Sequence, residues 1–91
     1  MKFPKKIKIG GHQVKIVFKK LENDLCGFSD FENNTIEIDS KLTTSMKELT
    51  FIHEIFHWIN SEFHSKSTDS HALLESLSQQ LYQVLKDNKF I

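Results

Sequence analysis

Arginine is absent from this 91-residue chain, whose 12 basic residues are all lysines. The planar fork that clamps phosphates and reads base edges at two points is therefore missing, which counts against nucleic-acid binding. Cysteine occurs once, at Cys26. That excludes an internal disulfide, a zinc ribbon and a redox pair, agrees with a reducing compartment, and leaves plain packing as the expected role of the thiol. No apolar run approaches the roughly 18 residues of a membrane span. The opening MKFPKKIKIGG also lacks the apolar stretch of a signal peptide, so a cytosolic protein is expected.

Acidic residues are missing from the first 20 positions, which hold seven lysines, while residues 21–91 carry five lysines against twelve acids. The formal net charge is zero. A like-charge run of this kind usually faces water, so a solvated sheet face is expected there rather than a binding patch. The length and a 38% hydrophobic content fit one domain over residues 1–91. Domains this small bury a reduced share of their surface and often need reinforcement, for which a bound metal would serve.

Ile7 and Ile9 alternate with lysines, Gly10-Gly11 supplies a turn, and Val14, Ile16 and Phe18 alternate again, which predicts a half-buried hairpin. A third strand is expected over Cys26 to Phe31. Asn33-Asn34 would turn the chain into a fourth strand, Thr35 to Asp39, with Ile36 and Ile38 facing the core. From Ser45 the period changes. Ser45 with Glu48 forms a capping-box pattern, and Leu49, Ile52, Ile55, Phe56, Ile59 and Phe63 recur at helical spacing to about Phe63. After a polar loop at residues 65–70, Leu73, Leu74, Leu77, Leu81, Val84 and Leu85 mark a second helix ending near Asp87-Asn88. The expected fold is α+β, a small, mostly antiparallel sheet of three or four strands packed on two helices.

Inside the first helix stands His53-Glu54-Ile55-Phe56-His57, an H-E-x-x-H motif. Histidines four residues apart project from one side of a helix, one turn above the other, which is the bite a metal ion needs. Roughly 0.02 such matches are expected by chance from this composition, so coincidence explains the motif poorly. With His53 at zero and about 100° per residue, His57 falls near 40°, Glu54 near 100° and the stripe of Ile52, Ile55, Ile59 and Phe63 at roughly 200–280°. The histidines thus flank the stripe without interrupting it.

Catalytic zinc usually takes three protein ligands and leaves a fourth position for water. Glu62, His64, Asp69, His71 and Glu75 are the candidates for the third. A second helix that packs its leucines on the first brings a seam of His71, Glu75 and Tyr82 towards the histidines, which favours Glu75. His64 remains the alternative if the first helix breaks at Asn60 or Ser61. His12, beside the Gly10-Gly11 turn, reads as an ordinary turn residue.

At this point the chain resembles the zincin metallopeptidases, and within them the small gluzincin-type, ImmA/IrrE-like proteins of phages and mobile elements. The resemblance is carried by Asn34-Thr35-Ile36-Glu37-Ile38-Asp39, by the helix Thr50 to Ile59 containing the motif, and by the second helix with Glu75 and Leu81 to Asn88. It implies zinc bound by His53, His57 and Glu75, with Glu54 as general base. It also implies that Thr35 to Asp39 is an edge strand lining the cleft, where a peptide could add as a further strand, and it suggests repressor cleavage as a natural role. The metzincin pattern fits worse, because Asn60 stands where its glycine would be and Phe63 where its third histidine would be.

Zinc acidifies its bound water towards a pKa of about 7 and polarises a peptide carbonyl, leaving Glu54 to move the proton. Tyr82 or His71 is a candidate donor to the oxyanion. The expected activity is therefore zinc-dependent peptide hydrolysis on a protein or peptide substrate, with a protein partner as a source of specificity. A zinc-stabilised binding module with little hydrolysis is the alternative. A lysine-rich nucleic-acid binder ranks last, and no membrane role is expected.

Overall fold

The structure is a computed structural model that describes the backbone of residues 2–62 and 70–91 and the side chains of residues 2–59 and 76–91. Gly10 and Gly11 both adopt positive φ (55° and 87°), the geometry a two-residue hairpin turn requires, and they join β1 (Lys6–Ile9) to β2 (His12–Lys19) in register Ile9 to His12. The alternation of both strands holds: Ile7, Ile9, Val14 and Ile16 are buried, while Lys6, Lys8, Lys15 and Lys19 are exposed. Phe18 breaks the rule. It is partly exposed at the rim, where it meets the edge of Phe3 and carries the Lys47 ammonium over its ring.

The chain then runs through β3 (Gly27–Asp30), shorter than the expected Cys26 to Phe31, and β4 (Thr35–Asp39), which has the expected bounds. Between them Asn34 takes φ +50°, the conformation expected of the Asn33-Asn34 turn. The sheet order is β1-β2-β4-β3, with β2 and β4 parallel and the other two pairs antiparallel. The fold is thus the expected α+β arrangement with a mostly antiparallel sheet. One implied placement is corrected: Thr35 to Asp39 is not an edge strand. Pairing on both sides leaves Ile36 and Ile38 wholly buried, and β3 takes the edge.

The two helices, α1 (Thr44–Glu62) and α2 (Ser70–Asp87), contribute Phe51, Ile55, Trp58, Ile59 and Val84 to one core with the six strand residues Ile7, Ile9, Val14, Ile16, Ile36 and Ile38. Leu77 and Leu81 pack against that core, as the leucine stripe predicts. The buried face of α1 differs from the expected stripe. Thr50, Phe51, Glu54, Ile55, Trp58 and Ile59 are buried, whereas Leu49, Ile52 and Phe56 are exposed. The helix is rotated by roughly a quarter turn relative to expectation, towards the glutamate. Its Thr50–Glu54 side is tucked against β3, and Ile52 and Phe56 are left to line an apolar groove of about 280 Å³ shared with Leu81, Val84, Leu85 and Phe90.

The far end of α2 is tied to β1. Asn88 donates its amide to Lys8 O at 3.0 Å and accepts from Lys8 N at 2.8 Å, so its side chain occupies the outward backbone groups of an edge strand. The same residue sits at the helix C-terminus, where Lys89 takes φ +62° and Phe90 N–H bonds Leu85 O at 2.8 Å, closing a Schellman motif. Among the described residues no helix is long and apolar enough to cross a membrane.

The outer face of the sheet bears the predicted lysines on β1 and β2 and acids on β3 and β4, with Lys19 and Glu37 paired at 3.2 Å. Replacing Asn88 with alanine should lower stability by about 1–2 kcal/mol in urea denaturation, because two backbone groups lose their partner. In the β3–β4 turn the Asn33 side-chain amide, bonded to Asp30 at 2.8 Å, holds the Asp30 carboxyl below its ordinary value, helped by the Asn33 and Glu32 N–H groups. A depressed value means that this contribution is present above the ordinary carboxylate range and is lost as pH falls through Asp30's own lower midpoint. An NMR titration should show that midpoint rising in Asn33→Ala.

Candidate metal centre

Helix α1 begins two residues earlier than the Ser45–Glu48 pattern predicts. Thr43 is the cap, its Oγ1 accepting from Met46 N–H at 3.3 Å, and its carbonyl takes the first helical bond from Lys47. Threonine and serine cap by the same chemistry, so the shift leaves the motif on the helix. Ten residues on from the cap, the histidine side chains meet as their spacing requires: the His53 and His57 rings lie 4.6 Å apart at 78°, and their Nε2 atoms are 2.9 Å apart.

Both histidines are exposed, whereas Glu54 between them is 5% exposed. One potential ligand atom from each of the three lies within 4.8 Å of the others, so His53, Glu54 and His57 are close enough to hold a metal ion. Two nitrogens at about 2.0–2.1 Å from a tetrahedral ion stand about 3.3 Å apart, so a small ring adjustment makes the pair fit. Imidazole nitrogen with carboxylate oxygen is a donor set suited to zinc and related transition metals.

The burial of Glu54 has a local cause. Gly27 lies so close to α1 that a Cβ there would come 2.6 Å from Thr50 Cγ2 and 3.2 Å from Glu54 Cγ and Glu37 O. Only glycine permits this approach of helix and strand. Two residues along the same face, Ser29 donates its hydroxyl to Glu54 Oε1 at 2.7 Å.

Strand β3 is also an edge of the sheet, with no strand on its outer side among the described residues. Asp39 N–H bonds Cys26 O, so by the alternation of an antiparallel ladder Phe28 and Asp30 turn their backbone groups to β4, and Gly27 and Ser29 turn theirs outward. The cleft between this edge and α1 has a recess of about 310 Å³ lined by Cys26, Gly27, Met46, Leu49, Thr50, His53 and Glu54. It continues past Phe28, Ser29 and Phe31 to His57, with Phe31 leaning on Trp58 at 4.7 Å between ring centroids. Cys26, which borders the recess just before the edge strand, is exposed and not packed in the core as expected.

Among the other sequence candidates, His64 and Asp69 lie outside the described residues. Glu62, His71 and Glu75 fall on α1 and α2, but their side chains also lie outside the described residues. Tyr82 is exposed on α2 and does not line the cleft. His12 opens β2, half-buried, its ring 6.1 Å from that of Trp58. Sequence reasoning missed Gly27 and Ser29. Their shared period-two face was readable, but the helix lying against it was not.

Comparison of the chain with protein-family models, with curated proteins and with solved structures finds no match. The site therefore has to be read from its own chemistry. Gly27→Ala should destabilise the fold by about 1–3 kcal/mol through overpacking. Adding Thr50→Ser, which removes the nearest methyl, should restore part of that loss in thermal melts.

Proposed function

We propose that this protein is a zinc-dependent peptidase. The observation that carries the reading is a buried glutamate of α1 held by a serine of β3, with two exposed histidines converging beside it and, along the same cleft, a strand edge unpaired among the described residues. The resemblance of the H-E-x-x-H helix to that of zincins points the same way.

His53 and His57 would hold the ion, with Glu75 proposed as third ligand. When bound, zinc supplies Lewis acidity, making water a nucleophile near neutral pH and polarising the substrate carbonyl. The remaining work falls to the chain. Glu54 Oε1 is occupied by Ser29, which leaves Oε2 to accept the proton as water attacks the peptide carbonyl and to return it to the departing amine. The outward backbone groups of Gly27 and Ser29 offer an extended peptide a ladder to join, which holds the scissile bond against the histidines. The apolar recess at Met46 and Leu49 favours an apolar substrate side chain on the His53 side.

A site that merely braced the fold would have no use for an anchored carboxylate that opens onto an exposed cleft, which is why hydrolysis is preferred over a zinc-stabilised binding module. Native mass spectrometry should find one zinc per chain, weakened in His57→Ala and Glu75→Ala, with thermal stability falling on chelation. Glu54→Gln should retain zinc and lose hydrolysis of a peptide library by about 10²-fold or more. Undiminished cleavage by fully zinc-loaded Glu54→Gln would refute the role given to Glu54.

A further inference from the structure

We propose that Ser29 decides which of two roles Glu54 takes, keeping its carboxylate off the metal so that it works as a proton acceptor and not as a ligand. The acceptor half of this statement rests on the peptidase reading; the non-ligand half rests on geometry alone.

The choice is a real one in this site. The Glu54 carboxylate lies within 4.8 Å of both histidine nitrogens, and carboxylate oxygen is an ordinary ligand for a divalent ion. A dication beside an anion in a mostly buried setting attracts it strongly. Left to itself, the carboxylate would be drawn into the coordination shell, closing the position that water needs and removing the base in one movement.

Two features oppose that movement. Ser29 Oγ holds Oε1 at 2.7 Å, and the serine stands on a strand, with its backbone position set by the β3–β4 ladder. The Glu54 stem is confined, since its Cγ lies 3.2 Å from where a Gly27 Cβ would be and the residue is 5% exposed. Oε2 has no hydrogen-bond partner among the described residues yet is not sealed off, so the free oxygen opens to the cleft. The Ser29 hydroxyl is thus a positioning group, one that acts through Glu54 and not on the ion or the reacting atoms.

The test uses Co²⁺ in place of zinc, because its visible absorption reports the number and type of ligands. Wild type, Ser29→Thr and Glu54→Gln should share one spectrum, since the first two keep the hydroxyl and none has residue 54 on the metal. Ser29→Ala should move to weaker, higher-coordinate absorption and bind Zn²⁺ about threefold or more tighter, with kcat down about tenfold and KM little changed. The double variant Ser29→Ala/Glu54→Gln should return to the wild-type spectrum.

A Glu54→Gln spectrum unlike wild type would show Glu54 to be a ligand already and overturn the proposal. So would a folded Ser29→Ala that matches wild type in spectrum and zinc affinity. A wild type that gives the expected spectral pattern but cleaves no peptide would sink the peptidase reading and leave the non-ligand assignment standing. Failure of wild type to bind either ion would overturn both.

Discussion

The close approach of α1 to β3 at Gly27 is the constraint from which the rest of the site follows. Because no side chain separates strand from helix at that point, Thr50 and Glu54 turn inward and the helix settles with its polar-flanked side against the sheet. That rotation buries a carboxylate, places Ser29 within reach of it and leaves the histidines at the rim, exposed and converging. The same rotation exposes Ile52 and Phe56 on the opposite flank, where they line a groove instead of filling the core. One missing Cβ therefore sets the burial of the acid, the accessibility of the bases and the position of the apolar surplus.

Much of this was legible from residue pattern, and the parts that were not share a cause. The Gly10-Gly11 hairpin, the bounds of β4, the inward isoleucines and the C-terminal end of α2 follow from local chemistry: turn residues, period-two alternation, helical spacing. The convergence of His53 and His57 is likewise local, since helix pitch alone brings them together. What local pattern does not contain is which face meets which. Helix α1 has apolar residues around most of its circumference, so spacing cannot rank Phe51 and Trp58 above Ile52 and Phe56. Alternation in β4 is the same at a sheet edge as at its centre, so the order that puts β3 outside is decided by the chain's return path and not by the strand's own residues. Ser29 and Gly27 became visible as partners of the motif only once that order was known.

The two sheet edges are treated differently among the described residues. At β1 the backbone is occupied by Asn88, and Gln83 adds bonds to Lys8 and Gly10. At β3 the outward groups of Gly27 and Ser29 have no partner among the described residues, beside the candidate metal ligands. Edge strands invite unwanted pairing and proteins generally blunt them, so an open edge retained alongside a closed one agrees with a site that receives an extended chain. The peptidase reading joins that edge to the anchored acid and the histidine pair, three features that a bracing metal site does not need together.

The Lys8–Asn88 contact joins positions 80 residues apart. During synthesis Asn88 emerges long after the hairpin it secures, so β1 and the histidine-bearing helix exist for most of that interval without the brace that finishes the sheet's first edge. A nascent chain made only up to the start of α2 would already own every residue of the H-E-x-x-H turn and both strands of the β3–β4 hairpin, yet could not close the outer edge of β1 until α2 reached it.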